Sequence, residues 1–462
     1  RQLPSPISIQ PQDFVVPKTE TQRKVCHAYA HVLQMGQVGI DDDFFDLGGT
    51  SLSVMTLMDE LEKSGCVISY GSVFQYPTPR MLAHFLDEGG EMKEYHIEGD
   101  DRLIHQYLER VSSPVLDDVV QPLVGDVLLT GSTGYLGIHV LYELFGSCRG
   151  RICCLVRASS DHAALERLME TYEFYFHQPF SQSQLAQMSV VAGDLTEDQC
   201  LSRWEESGVS LVINCAANVR HFAKESQLIP INTDSVLRLA RFCEKTHARL
   251  VQISTLGIAG LYDTDVCDAA CLTEHRLHIG QHLSDGYTYS KYMAEKNLLE
   301  RMGRRVLDAV IIRVGNLSPR SYDGQFQRNV DDNSLTMALQ LFAHMGMMPA
   351  SAADIRFDLS PVDIVARAIV RLGTLAGEHP VWHVANTHLN TLQEILIERG
   401  YVVRVVDDAV FHERLEQAKK DSNLSHLALS AVAFGAMAGS RKPNAYDCAY
   451  TAKVLQRLGV EW

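Results

Sequence analysis

Hydrophobic and polar positions follow two different periods along this chain. In the first 90 residues, apolar side chains recur roughly every three to four positions, which predicts helices over 21–33, 52–61 and 80–86. From residue 123 onward, short β-rich runs alternate with longer helical stretches. Those runs are 127–129, 151–156, 189–191, 211–213, 250–253 and 309–312. Strands that alternate with helices in this way predict a parallel, doubly wound α/β sheet.

The segment 91–122 follows neither period. It contains eight acidic and three basic residues and no sustained strand-like run, although a short helix is predicted around 102–111. We interpret 91–122 as an acidic linker. The chain is therefore predicted to contain a small helical domain, a linker and a larger α/β domain.

Composition limits the functions that this chain can have. At 462 residues, with 46% hydrophobic and 21% charged side chains, it is typical of a globular protein with two or three domains. A net charge of -16 argues against partners such as nucleic acid or an anionic membrane. The 11 cysteines include no CxxC pair, so we predict no metal site and a reducing, cytoplasmic location.

One segment of the helical domain carries a chemical signal. Residues 41–52 read DDDFFDLGGTSL, so Ser51 follows two glycines at the start of a predicted helix and lies beside an acidic loop. From physics alone, Ser51 is most simply a helix N-cap, because serine is common at that position. The acidic loop is either a solvated face or a docking surface for a basic partner.

The whole string resembles the 4'-phosphopantetheine attachment motif of carrier domains in nonribosomal peptide synthetases. The resemblance covers 17–90 and implies an all-α, four-helix carrier domain whose Ser51 bears a 4'-phosphopantetheine arm holding an acyl or peptidyl thioester. It also implies that a phosphopantetheinyl transferase docks on the acidic loop. Residues 1–16 resemble the tail of an adenylation domain, so we expect upstream adenylation and condensation domains of the same synthetase as partners.

The α/β domain opens with a glycine-rich turn. In DVLLTGSTGYLG, 126–137, a predicted strand runs into Gly131, Gly134 and Gly137, and a predicted helix follows. This context predicts a dinucleotide site, because the turn brings backbone N-H groups and a helix N-terminus against a pyrophosphate. Arg157 ends the second strand, which contains no carboxylate, and Arg167 lies ten residues on. The arginines favour a ribose 2'-phosphate and therefore NADPH over NADH.

A tyrosine and a lysine in GYTYSKYMAEK, 286–296, are candidates for acid-base chemistry. Tyr287 and Lys291 are one helical turn apart, so a lysine ammonium on the same face is expected to lower the pKa of the phenol. Tyr292 and Lys296 have the same spacing, and spacing alone does not choose between the pairs. Thr255 follows a predicted strand and is a candidate to hydrogen-bond the same carbonyl oxygen.

Together with GDL at 193–195, NCAANV at 214–219 and RVGN at 313–316, these motifs resemble the extended short-chain dehydrogenase/reductases. LVRA at 155–158 and GYTYSK at 286–291 resemble, more narrowly, the terminal thioester reductase domains of nonribosomal peptide synthetases and the related carboxylic acid and aminoadipate reductases. The resemblance covers 123–462, implies a Rossmann-type domain with a smaller substrate lobe mainly within 319–462, and selects Tyr287 over Tyr292. The cofactor-binding residues that it implies, together with the two arginines, are Gly131, Ser132, Thr133, Gly134, Tyr135, Leu136, Gly137, Arg157, Arg167, Asp194, Leu195, Asn214, Ala216, Ala217, Tyr287, Lys291 and Asn316.

The two resemblances imply one function, the reductive release of a carrier-bound thioester. NADPH would give hydride to the carbonyl carbon, Thr255 and Tyr287 would stabilise the oxyanion, and Lys291 would hold the nicotinamide ribose. The product is an aldehyde, or an alcohol after a second hydride. Three alternatives stay open: part of a carboxylic acid or aminoadipate reductase, a redox-silent releasing cyclase, and a non-catalytic docking module. The cyclases lack the catalytic tyrosine that is present here.

Overall fold

The structure is a computed structural model of the chain. It describes residues 14–49, 51–68, 70–89, 95, 97, 102–111, 125–219, 225–263, 269–283, 285–329, 334–353, 355–375, 379–419, 427 and 441–462. Most of the predicted adenylation-domain tail, 1–16, and much of the predicted linker, 91–122, therefore lie outside the described residues.

The first part of the chain contains four helices, α1 (Glu20–Val32), α2 (Ser51–Lys63), α3 (Tyr70–Gln75) and α4 (Pro79–Asp87). Three of them confirm the helices predicted from the period. The remaining helix, α3, was not predicted, because its six residues are too few to show a hydrophobic period. Thr19 and Thr78 cap α1 and α4 with their hydroxyls, which fixes where those helices begin.

The rest of the chain alternates strands with helices. The elements up to the end of the fifth strand are α5 (Arg102–Val111), β1 (Asp126–Thr130), α6 (Tyr135–Ser147), β2 (Ile152–Val156), α7 (Asp161–Phe176), α8 (Gln182–Gln187), β3 (Met188–Ala192), β4 (Val209–Asn214), α9 (Glu225–Ile229), α10 (Ser235–Thr246) and β5 (Arg249–Thr255). The later elements are β6 (Leu261–Asp263), β7 (Cys271–Leu272), α11 (Gly286–Gly303), β8 (Ala309–Val314), β9 (Leu317–Ser318), α12 (Ser334–Met345), β10 (Met347–Pro349), α13 (Ala350–Ala353), β11 (Arg356–Asp358), β12 (Ser360–Pro361), α14 (Val362–Gly373), β13 (Val381–Val384), β14 (Leu389–Thr391), α15 (Leu392–Glu398), β15 (Arg404–Val406), α16 (Asp408–Lys419), β16 (Arg441–Pro443), β17 (Ala445–Tyr446) and α18 (Ala449–Arg457).

Seven of these strands form one parallel sheet. Their order is β13, β8, β5, β4, β1, β2, β3, so β1 lies inside the sheet and pairs with β2 on one side and with the central strand β4 on the other. The chain reverses its winding direction at β1, and ligands of such sheets bind at the carboxyl ends of the strands beside that point. This topology confirms the predicted doubly wound α/β sheet.

The sheet separates two hydrophobic cores because successive strand residues point to opposite faces. Val127 and Leu129 belong to the core under α6, α7 and α14, whereas Leu128 belongs to the core under α10 and α11. Apolar side chains dominate both cores, and a few buried polar side chains, such as Gln252 of β5 and Arg313 of β8, lie on the strands between them.

The contacts within the chain group it into two compact units. The first contains α1 to α4 together with α12 and α16, and the second contains the seven-stranded sheet and its covering helices. This grouping separates two segments of the predicted substrate lobe, 319–462, from the rest of it. The domain boundaries proposed from the sequence stay predictions. No helix in the described parts of the chain is both long and apolar enough to cross a bilayer.

Helix α5 confirms the short helix predicted inside the linker, and it belongs to the second unit. Its side chains Ile104, Leu108 and Val111 are at most 6% exposed, and Ile104 and Leu108 share a core with α11. Upstream, Tyr95 forms a β-bridge with Leu283 and stacks on Tyr289 of α11 at 4.5 Å between ring centroids. Tyr95 and α5, both inside the predicted linker, are therefore part of the core that supports α11.

We expect Leu108→Ala to destabilise the second unit by about 2 to 5 kcal/mol, because it leaves a cavity between α5 and α11. Leu103→Ala is the matched control on the same helix, because Leu103 is 38% exposed and its truncation should cost about 1 kcal/mol or less. Calorimetric unfolding of the two variants measures the difference. Equal losses would show that α5 does not contribute to the core through its buried face.

Candidate active site

The phosphopantetheine motif forms a loop fixed on the carrier helices. Phe44 is fully buried and meets the ring of Tyr29 edge-on at 4.9 Å. A Cβ on Gly49 would lie 2.4 Å from the Phe44 ring, so only glycine fits there. Helix α2 begins at Ser51, which confirms the predicted helix start.

The acidic loop is partly held by contacts of its own. Asp41 forms two hydrogen bonds with Arg80 at 2.6 and 2.7 Å, and this guanidinium lowers the pKa of the Asp41 carboxyl. Asp42 accepts from the Gly39 N-H at 2.7 Å, and Asp43 accepts from the Phe45 N-H at 2.9 Å. These carboxylates therefore shape the turn before Ser51, besides giving it negative charge.

Two glycines of the turn after β1 occupy positions with no room for a side chain. Gly131 has a φ of +73°, and a Cβ on it would lie 2.5 Å from the Ala216 nitrogen. A Cβ on Gly137 would lie 2.1 Å from the Gly131 oxygen. Gly134 precedes α6 and has no side chain to occupy the helix N-terminus. The turn therefore leaves the first N-H groups of α6 to a pyrophosphate.

The other residues of the turn differ in their placement. Thr133 stays partly accessible, whereas Ser132 is fully buried and Leu136 packs against the first core. The Tyr135 hydroxyl donates to the carbonyl oxygens of Ser318, at 3.0 Å, and Gln325, at 3.3 Å. The Tyr135 side chain therefore braces the loop after β9, so its contribution to a cofactor comes from the backbone.

A cavity of about 570 Å³ lies beyond the ends of β2 and β3. Its lining includes Arg157, Asp194 and Arg203. The Arg167 guanidinium donates to the Arg157 carbonyl at 2.7 Å, so Arg167 positions the Arg157 backbone. The Leu195 side chain is only 8% exposed and belongs to the second core. The cavity has the position that an adenosine ribose takes in such folds, with Arg157 at its edge.

Asn214 is a structural residue of the turn region. It is fully buried, its Oδ1 accepts from Thr130 Oγ1 at 2.5 Å, and its Nδ2 donates to Gln252 Oε1 at 2.8 Å. Its Oδ1 also accepts from the Ala216 N-H at 3.2 Å. Asn214 thereby shapes the half-buried loop of Ala216 and Ala217 beside the glycine turn. Sequence reasoning missed Gln252, because nothing in VQIST marks it as a partner of Asn214.

The structure brings Thr255, Tyr287 and Lys291 together. Thr255 ends β5 and its side chain hydrogen-bonds the Tyr287 phenol near the start of α11. Asp285 caps α11 by accepting from the Thr288 N-H at 2.9 Å, which fixes this first turn. Lys291 is 3% exposed, and its Nζ donates to the Ile253 carbonyl at 3.0 Å. All three side chains lie at the end of the sheet where the glycine turn begins.

The competing pair has a different environment. Tyr292 is 1% exposed and belongs to the second core, among Leu298 and other apolar side chains. Tyr289 stacks on Tyr95. The geometry therefore favours Tyr287 over Tyr292 as the tyrosine beside Thr255.

The expected electrostatic coupling within the trio is wrong. Burial raises the pKa of Tyr287, and nearby Asp285 raises it further, while the hydrogen bond from Thr255 opposes the shift. Lys291 does not lower it, because its Nζ is directed to the Ile253 carbonyl. Burial lowers the pKa of Lys291 itself to about 8. Tyr287 is therefore a neutral phenol at physiological pH, so its proton is present for donation when the reaction begins.

The pKa of Lys291 predicts a pH dependence. Below about 8 the amine is a charged donor, and above it the charge is lost, so kcat/KM for thioester reduction should fall as the pH rises through about 8. Tyr287 stays protonated over this range, so its ionisation does not change the pH profile of kcat/KM. Lys291→Arg keeps its charge at all these pH values and should remove the fall, even at a lower rate. Persistence of the same fall in Lys291→Arg would assign it to another group.

Asn316 is held by a buried carboxylate. Its N-H and Nδ2 each donate to Asp358 at 2.8 Å, and the Tyr446 hydroxyl donates to the same carboxylate at 2.9 Å. Burial raises the pKa of Asp358. Sequence reasoning counted Asn316 among the cofactor-binding residues but missed Asp358 and Tyr446, which lie far along the chain and in no motif.

Comparison with known protein families gives two matches, one in the helical part of the chain and one in the α/β part. Residues 129–369, just over half of the chain, match the NAD-binding family described as "Male sterility protein". The chain belongs to this family. Residues 23–86 of the chain match a second family, which is described as "Phosphopantetheine attachment site". The two matches confirm the predicted carrier domain with its phosphopantetheine and the predicted reductase domain with a nicotinamide cofactor.

Solved and curated proteins match most of this chain. A thiolation-reductase di-domain from an archaeal non-ribosomal peptide synthetase is 30% identical with a TM-score of 0.84, covering 98% of this chain and 95% of that chain. Isonitrile lipopeptide synthase of Mycobacterium tuberculosis is 29% identical over 88% of this chain and 18% of the relative. The L-2-aminoadipate reductase large subunit of Penicillium chrysogenum is 28% identical over 87% of this chain and 31% of the relative. The chain thus spans less than a third of either curated relative.

Proposed function

We propose that this chain releases an acyl or peptidyl group from its own carrier domain by reducing the thioester with NADPH, as the terminating step of nonribosomal peptide assembly. The observation that carries the proposal is the hydrogen-bonded pair of Thr255 and Tyr287 at the sheet end where the glycine turn begins. A phenol held by a second hydroxyl, next to a nicotinamide site, is the arrangement that carbonyl reduction requires.

The residues present fit the cofactor. Gly131 and Gly137 of the turn leave no room for a Cβ, and Arg157 lies at the edge of the adjacent cavity. Lys291 and Asn316 are the candidates for the nicotinamide end. When bound, NADPH supplies the hydride for the thioester carbonyl carbon.

The side chains of this chain then handle charge and protons. Thr255 and Tyr287 donate hydrogen bonds to the carbonyl oxygen as negative charge develops on it, and Tyr287 gives it a proton. The hemithioacetal that results then collapses: its hydroxyl loses a proton, the carbon-sulfur bond breaks, and the sulfur takes up a proton, which leaves an aldehyde and the thiol of the arm on Ser51. Tyr287 regains its proton from solvent. A second hydride and proton would convert the aldehyde into an alcohol. Lys291, fixed by the Ile253 carbonyl, presents its remaining N-H groups to the cofactor ribose.

Partners and location complete the proposal. We assign the supply of the acyl group to upstream adenylation and condensation domains, and the loading of Ser51 to a phosphopantetheinyl transferase that contacts the loop around Asp46, an exposed carboxylate. The ten described cysteines are free thiols, which supports the proposed cytoplasmic location.

The test uses the full chain, loaded at Ser51 with a panel of acyl, aminoacyl and dipeptidyl groups. We expect NADPH oxidation together with an aldehyde or alcohol in the mass spectrum, and the ratio of NADPH to product tells the two apart. A preference for aminoadipyl or simple carboxylic acyl groups would support the carboxylic acid or aminoadipate reductase alternative. Release without NADPH consumption would indicate a cyclase, and no release of any group would indicate a docking module.

A further inference from the structure

We propose that Arg203 recognises the 2'-phosphate of NADPH together with Arg157. This inference rests on the proposed use of NADPH and names a residue that no sequence motif marks. Arg157 follows β2, and Arg203 lies in a 3-10 turn, Ser202–Trp204, between β3 and β4. Both line the cavity of about 570 Å³ beyond the strand ends. The two arginines therefore line one cavity from separate segments of the chain.

The backbone of Arg203 is fixed by its neighbours. Leu201 and Trp204 are each 5% exposed and belong to the second core, and the Trp204 N-H donates to the Leu201 carbonyl at 3.0 Å. Two buried side chains thus hold the turn while Arg203 between them is directed outward, with 62% of its side chain exposed. A ligand entering the cavity meets a guanidinium whose backbone is already in place.

Asp161 holds the Arg203 side chain toward the cavity. Its Oδ1 accepts from the Ala192 N-H at 2.8 Å, and its Oδ2 accepts from Arg203 NH1 at 3.3 Å. These contacts keep the carboxylate in place and lower the pKa of Asp161. The contact with Asp161 uses one N-H of the guanidinium, which has several others for phosphate oxygens.

The charges around the cavity explain why one arginine is insufficient. Asp161, Asp194 and Glu197 all line it, so a 2'-phosphate enters a cavity that already holds three carboxylates. Arg167, the second arginine expected from the sequence, directs an N-H to the Arg157 carbonyl instead. Arg203 supplies the second positive charge in the cavity, and arginine pairs well with phosphate oxygens.

The experiment compares two fragments of the cofactor on the full chain. Calorimetry gives the Kd of 2',5'-ADP, which has the 2'-phosphate, and of ADP, which lacks it. We expect the wild type to prefer 2',5'-ADP. Arg203→Ala should raise the Kd of 2',5'-ADP about 10- to 100-fold and leave the Kd of ADP unchanged. Arg157→Ala should have the same effect. Lys245→Ala is the matched control, because Lys245 is an exposed cation that pairs with Glu205 outside the lining of the cavity.

Each contrary result has its own meaning. If Arg203→Ala keeps the preference of the wild type while Arg157→Ala loses it, the role of Arg203 is refuted and the use of NADPH stands. If Arg203→Ala weakens the binding of ADP and of 2',5'-ADP equally, the residue supports the fold of the cavity and does not bind the 2'-phosphate. If the wild type binds both fragments equally, the proposed NADPH preference fails, and the role of Arg203 fails with it.

Discussion

Replacing Ser51 with alanine is expected to abolish the gain of the phosphopantetheine mass when the full chain is incubated with coenzyme A and a phosphopantetheinyl transferase. The transfer forms a phosphodiester with a hydroxyl oxygen, and alanine has none. The same variant should release no product from any acyl donor that must be loaded on the arm, so the effect is a complete loss. Intact-mass spectrometry measures it directly.

Ser53→Ala is the control for that variant. Ser53 is the next serine of α2, two positions further along the same helix, and its replacement should leave the modification complete. The loop before α2 is held by Phe44 and by Asp42 and Asp43, so neither substitution should displace it. Full modification of Ser51→Ala would remove the assignment of the attachment site.

The order of elements was predictable from the sequence because burial imposes a period. Each strand of the sheet that was predicted from an apolar run is present, since a strand covered on both faces needs apolar side chains at nearly every position. Helix α5 was predicted as a helix inside a linker, and its packing was not predictable. The apolar face of α5, with Ile104 and Leu108, predicts that this helix packs against another element. It does not predict that the element is α11.

The parts of the site whose residues lie close together in the sequence were predictable. The turn from Gly131 to Gly137 and the pair of Tyr287 and Lys291 each lie within one motif, so their spacing already fixes their mutual position. Asp358 and Arg203 reach the site through tertiary contacts across the chain, which no spacing encodes. The direction of the Tyr287 pKa shift was also beyond the sequence, because burial decides it.

Replacing Tyr287 with phenylalanine is expected to lower kcat for thioester reduction by about 10²- to 10⁴-fold, the range that a positioned general acid contributes. The ring stays in place, so the fold should be kept, but the oxyanion loses one donor and its proton source. Thr255 remains as the other donor, which leaves residual activity. The measurement is single-turnover NADPH oxidation on a loaded carrier, and the Kd of NADPH should change little.

Tyr292→Phe separates this role from the second tyrosine-lysine pair. Tyr292 lies in the apolar core and is 1% exposed, so its hydroxyl is distant from any substrate that solvent delivers, and kcat should stay near that of the wild type. A loss in Tyr292→Phe with full activity in Tyr287→Phe would transfer the role of proton donor to Tyr292. Because Tyr287 has a raised pKa, the residual activity of Tyr287→Phe should still fall as the pH rises through about 8, following Lys291 alone. That persistence would show that the lysine acts on the cofactor independently of the phenol.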